Sequence, residues 1–182
     1  MFRVYRLYAC ASDSPMTGDE RLIFAASDFA GSAGLPSAPV AIGRAERGKP
    51  YMIGRGDLFV SASHSGGHCV CAASTAPIGV DVQFHAAADY GAIAARFFHP
   101  DEARYVALGG AEAFFEVWTA KEAYVKLTGE GLSGGFGGFS AVSGGRAARE
   151  INGVRLERVP FADNYTLTVC ANARRVGDII EF

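Results

Sequence analysis

The chain has 182 residues, 49% of them hydrophobic and 20% charged, with a formal net charge of −2. That is the composition of one globular domain, or of two small halves sharing a core, and it excludes a disordered tail. The charge balance speaks against general nucleic-acid binding, which leaves a basic footprint.

Phe2 to Cys10 alternates and is rich in β-formers, which predicts a strand. The same stretch is too short and too interrupted by charge for a signal peptide or a membrane span, so the chain is expected to be cytoplasmic. Thr17 and Glu20 have capping-box spacing, and Gly31 offers a stop, so a helix is predicted between them. Gly31 to Gly56 is rich in Gly, Pro and Ser and reads as a long surface connection. Leu58–Ser63 and Cys69–Thr75 read as strands joined by "HSGGH", and Ile78–Gln83 as a third strand.

Helices are predicted from about Asp89 to Phe98, from Pro100 onward, and from Glu112 to Thr128, where Gly129 ends the last. A glycine-rich loop follows. Asn152-Gly153 sits between two alternating runs and predicts a hairpin, and Asn164–Ala171 and Asp178–Phe182 supply the last strands. Of the cysteines, Cys10, Cys69, Cys71 and Cys170, none forms a C-x-x-C pair; all are expected reduced, with Cys69 and Cys71 on one face. The class is α+β, with mostly antiparallel strands and helices on one side.

Two stretches carry chemistry. In "PIGVDVQ", period two puts Asp81 and Gln83 on the face opposite Val80 and Val82. In "WTAKEAYVKLTGEGL", Glu122 and Lys126 fall at the edge of the apolar helix face, with Thr119, Glu112 and Glu116 on the far side. Alone, the first fits a surface strand. Alone, the second fits an exposed i,i+4 pair contributing roughly 0.2–0.5 kcal/mol. Together they supply two hard carboxylates for Mg²⁺, which favours few protein ligands plus waters and phosphate oxygens. They also supply a lysine to neutralise charge on a phosphoryl oxygen. No phosphate-binding glycine motif is present to offer another route.

On "GVDVQ" (79–83) and "WTAKEAYVK" (118–126), with "GKP" (48–50), "SASHSGGHCVCA" (61–72), "IAARFFHPDE" (93–102) and "GEGL" (129–132) in the matching order, the chain resembles the surfactin-synthetase-type 4′-phosphopantetheinyl transferases. The resemblance implies a pseudo-dimer of two related α+β halves, here about 1–75 and 76–182 within one domain, with the first half shortened. It implies transfer of the phosphopantetheine arm of coenzyme A to a serine of an acyl, peptidyl or aryl carrier protein, releasing adenosine 3′,5′-bisphosphate. Asp81, Glu122 and Gln83 would bind Mg²⁺, and Lys126 would stabilise the pyrophosphate and assist the leaving group. Glu122, or a water on the metal, would take the serine proton. Lys49, Ser63 and His64 would contact coenzyme A, and Lys121 would be a second cation at the pocket or a wall residue. Arg96 and Arg104, with Phe97 and Phe98, are candidates for the carrier patch.

The chain departs from the family pattern at Gln83, where many members have Glu, and at Ser61, where Asn is frequent. It also has only Arg21, Arg44 and Arg47 as basic residues between Met16 and Gly48. These departures motivate a competing reading: a degenerate relative that binds coenzyme A or a carrier without turnover. A third reading is a Mg²⁺-dependent phosphoester hydrolase. A monomer is expected, without nucleic-acid or membrane partners.

Overall fold

The computed structural model of the chain describes residues 1–8, 16–36, 41–131 and 136–181. Cys10, Leu132 and Phe182 lie outside the described residues. Strand β1 (Phe2–Tyr8) is followed by helix α1 (Gly18–Ser32), which opens with the predicted Thr17/Glu20 capping box. The expected long connection contains a short antiparallel pair, β2 (Ile42–Arg44) and β3 (Pro50–Met52). Strands β4 (Phe59–Ser65) and β5 (His68–Ser74) form a tight hairpin. Ser65 pairs with His68, so only Gly66 and Gly67 make the turn, and Gly66 has φ +55°.

Strand β6 (Ile78–Phe84), helix α2 (Tyr90–Phe97) and helix α3 (Pro100–Thr128) come next. Gly110, at φ 63° and ψ −142°, breaks α3, so the two predicted helices run on across a kink. Gly129 closes α3 at φ 75°. The remaining strands are β7 (Val142–Ser143), β8 (Arg146–Ala147), β9 (Glu150–Ile151), β10 (Val154–Val159), β11 (Tyr165–Ala171) and β12 (Ile180–Glu181). The β9–β10 turn is the predicted Asn152-Gly153, both at positive φ.

Two four-stranded sheets result, in the orders β12-β1-β5-β4 and β6-β11-β10-β9. Alternation sorts their residues. On β5, Cys69, Cys71 and Ala73 pack against Leu22, Ala26 and Phe29 of α1, while Val70 and Ala72 face the other way. There they share a core with Val80 and Val82 of β6 and with Leu167 and Val169 of β11. Helix α3 covers the far face of the second sheet. The layers therefore run helix, sheet, sheet, helix, which corrects the expectation of helices on one side. Strand β12 pairs parallel with β1, so the end of the described chain completes the first sheet. Among the described residues no helix is long and apolar enough to cross a membrane.

Candidate active site

The site forms where β4, β6 and the end of α3 meet. Gly79 sets the approach: a Cβ there would lie 1.9 Å from the Ala123 carbonyl oxygen and 2.6 Å from the Leu127 amide nitrogen. Backbone leaves no room for a side chain, so β6 and α3 touch directly. Two residues on, Asp81 faces the same helix and is 1% exposed.

The edge of β6 is served by side chains rather than by a backbone ladder. Ser61, Ser63 and Ser65 alternate along β4, and their hydroxyls accept from the amides of Val80 (3.1 Å), Val82 (3.2 Å) and Phe84 (2.9 Å). This serine ladder satisfies three backbone donors at the junction of the two sheets. It also places Ser63 beside Asp81.

Lys126 Nζ donates to Asp81 Oδ1 at 2.6 Å and to Ser63 Oγ at 2.9 Å, and Ser63 Oγ donates to the same Oδ1 at 2.7 Å. A hydroxyl has one proton and two acceptor positions, and those of Ser63 are all spent inside the protein. Its hydrogen bonds therefore run to Asp81, Val82 and Lys126. Gln83 Nε2 donates to Asp81 Oδ2 at 3.3 Å, and Gln83 Oε1 accepts from Ser65 Oγ at 3.3 Å. Gln83 thus presents its NH₂ end to Asp81 and steadies that carboxylate, where sequence had made it a direct metal ligand.

Glu122 lies one turn before Lys126. Its carboxylate makes no hydrogen bond or ion pair with any described residue. Burial, and then the negative charge of Asp81, raise its pKa above the ordinary carboxylate value, and Lys126 pulls the other way. One lysine thus faces two carboxylates.

Glu122 and Lys126 open onto a cleft of about 380 Å³, walled also by Gly18 and Leu22 of α1, Arg44, Lys49 and Pro50 of the β2–β3 hairpin, and Val60 and Ala62 of β4. The volume is in the range of small-ligand sites. The sequence shows Arg44 only as one of three basic residues before Gly48, because nothing local shows that a three-residue strand turns it toward this wall. Lys49 lines the cleft through its alkyl chain while its ammonium donates to the Leu127 carbonyl. His64 is exposed, on the β4 face that carries Val60 and Ala62, and its ring makes no hydrogen bond with any described residue.

Lys121 is not at the cleft. It is 0% exposed, and Nζ donates to Glu102 Oε1 at 2.7 Å and to the Phe139 carbonyl at 2.6 Å. The Phe139 ring lies 4.3 Å from the same nitrogen. Glu102 also accepts from the amides of Ala141 (2.6 Å) and His99 (2.9 Å). Nothing local in the sequence marks this role of Glu102, since its partner sits 19 residues on. Trp118 likewise belongs to an aromatic cluster with Phe98, Phe114 and Phe136.

The donor set can be tested against a divalent cation. Asp81 Oδ2 has only the long contact from Gln83, and Glu122 has no partner among the described residues. Two mutually repelling carboxylates suit a hard cation whose other ligands are waters and phosphate oxygens. No group of three or more His, Cys, Asp or Glu forms a cage among the described residues. The residues fit Mg²⁺ completed by a substrate.

Residues 77–170 match the family model described as the 4′-phosphopantetheinyl transferase superfamily. The chain is 37% identical over 106 residues to a 4′-phosphopantetheinyl transferase of Bacillus subtilis, covering 55% of this chain and 46% of that protein. It is 37% identical over 111 residues to the 4′-phosphopantetheinyl transferase psf-1 of Bacillus pumilus, covering 59% and 47%. With the 4′-phosphopantetheinyl transferase gsp of Aneurinibacillus migulanus it shares 35% over 104 residues, covering 54% and 42%. The chain spans about half the length of the curated relatives it matches.

Proposed function

The chain belongs to the 4′-phosphopantetheinyl transferase superfamily, and from that we propose that it moves the 4′-phosphopantetheine arm of coenzyme A onto a serine of an apo acyl, peptidyl or aryl carrier protein. The observation that carries this reading is the meeting of Asp81, Glu122 and Lys126 beside a cleft of about 380 Å³. All three come from one chain, which suits a monomer. The two helix-covered sheets suit two related α+β halves, the first of them shortened.

In this reading coenzyme A lies in the cleft against Arg44 and the stem of Lys49, with His64 at the rim. Its pyrophosphate reaches Glu122 and Lys126. The serine oxygen attacks the phosphorus that bears the pantetheine, and the bridging P–O bond to the nucleotide breaks. Glu122 accepts the serine proton. Lys126 donates toward the charge that collects on the departing adenosine 3′,5′-bisphosphate. Magnesium, held by Asp81 and Glu122 with the pyrophosphate, would neutralise charge and act as Lewis acid and template. Ser63 and Gln83 keep the Asp81 carboxylate in place. Arg96, 5.0 Å over the half-exposed ring of Phe97, offers the carrier a cationic, apolar spot, whereas Phe98 is buried in the core.

Intact mass spectrometry of apo carriers incubated with the protein, coenzyme A and Mg²⁺ tests the reading. A Mg²⁺-dependent gain of one phosphopantetheine mass is expected. Measured coenzyme A binding with no gain on any carrier would replace it with a binder lacking turnover. Free phosphopantetheine without a carrier would indicate a hydrolase.

A further inference from the structure

Lys49 of the GKP segment lies 78 residues before Leu127, in the last turn of α3, yet it grips that turn. An α-helix leaves its last carbonyls without intrahelical donors, and they carry the negative end of the helix dipole. In α3, the Gly129 amide serves Val125. The Lys49 ammonium serves Leu127, and the Arg47 guanidinium serves Glu130 just past the cap.

Packing supports the same contact. Gly129 is left-handed, and a Cβ there would lie 3.1 Å from Lys49 Cδ. A Cβ on Gly131 would lie 3.8 Å from Arg47 Cδ. The stems of both cations therefore run along the glycines that close the helix. Leu127 follows Lys126 directly, and Leu127 N is also one of the atoms against Gly79 of β6. Any slip of this turn moves Lys126 off Asp81.

We infer that Lys49 and Arg47 are positioning residues: the β2–β3 turn clamps the C-terminal turn of α3, so that the β2–β3 wall of the cleft sets where Lys126 and Glu122 stand. The inference rests on the transferase reading for its effect on catalysis, and on the ligand-free protein for the clamp itself. It gives the lysine ammonium a role other than the phosphate or adenine contact expected from sequence. A clamp acts on the helix whether or not coenzyme A is present; a phosphate contact acts only when it is bound.

Hydrogen exchange on the ligand-free protein separates the two. In Lys49→Met, which keeps the stem on Gly129 and removes the charge, amides of residues 125–129 should exchange about tenfold faster, with α1 and β4 unchanged. Lys49→Arg should restore much of the protection. Arg47→Ala, at an exposed turn that tolerates change, should show the same pattern more weakly. In transfer assays Lys49→Met should lower kcat about tenfold and move KM for coenzyme A less than about twofold. Unchanged exchange with a raised KM would overturn the clamp and return Lys49 to direct ligand contact. If the wild-type protein transfers nothing, the transferase reading fails while the exchange result still decides the clamp.

Discussion

Helix α3 carries two lysine–carboxylate pairs five positions apart, and they differ in every respect that matters for function. Lys121 and Glu102 are both 0% exposed, and every strong contact of the lysine ends on Glu102, the Phe139 carbonyl or the Phe139 ring. That pair is closed: one cation, one carboxylate, and amides that use the remaining oxygens. Lys126 and Asp81 are also paired, but Glu122 adds a second carboxylate, and the lysine is 29% exposed on the cleft. That site is open, with negative charge left over. A buried ion pair that balances holds structure, whereas one that does not balance leaves room for a cation and an anionic substrate.

Removing carboxylates from the open site should have the largest effect. Asp81→Ala and Glu122→Ala are each expected to cut transfer by about 10²–10³-fold or more, the scale for loss of a key electrostatic group. Circular dichroism should show the fold retained. Full activity in either variant would break the comparison.

The closed pair should respond in the opposite way. Lys121→Met leaves Glu102 charged and buried, which costs about 3–5 kcal/mol of stability in denaturant unfolding. The folded fraction should bind coenzyme A as before. Adding Glu102→Gln should recover part of the loss, since the orphaned charge is then gone.

A smaller effect concerns protons. Burial and Asp81 raise the Glu122 pKa, so its folded state holds the proton more tightly than the unfolded chain does. The stability this gives is present at acidic pH and is lost as pH rises through the folded pKa. Glu122→Gln should therefore raise the melting temperature of the ligand-free protein at neutral pH, with the gain fading on acidification. A gain independent of pH would mean that charge at Glu122 is not the cause.

Local signals in the sequence were reliable where a motif closes on itself. The Thr17/Glu20 capping box, the Asn152-Gly153 turn and the alternation that puts Cys69 and Cys71 on one face all reappear in the structure. The approach of Asp81 to Lys126 was legible only through the family pattern, because the two lie 45 residues apart. Periodicity failed on α3 because that helix is buried on two sides. Thr119, placed on the far side, is fully buried and bonds Thr168 of β11 at 2.8 Å. Lys121, which the resemblance made a second cation at the pocket or a wall residue, points into the other packed face. The three-residue strands β2 and β3 are too short for any period to show, so the turn that grips α3 was hidden in a glycine-rich stretch.

Surplus negative charge at the open site is expected to take a divalent cation together with coenzyme A. Electron paramagnetic resonance of Mn²⁺, titrated into the protein with coenzyme A, reads that directly. One bound Mn²⁺ is expected in the wild type and in Lys121→Met, with none in Asp81→Ala or Glu122→Ala. Undiminished Mn²⁺ binding in both alanine variants would contradict the account.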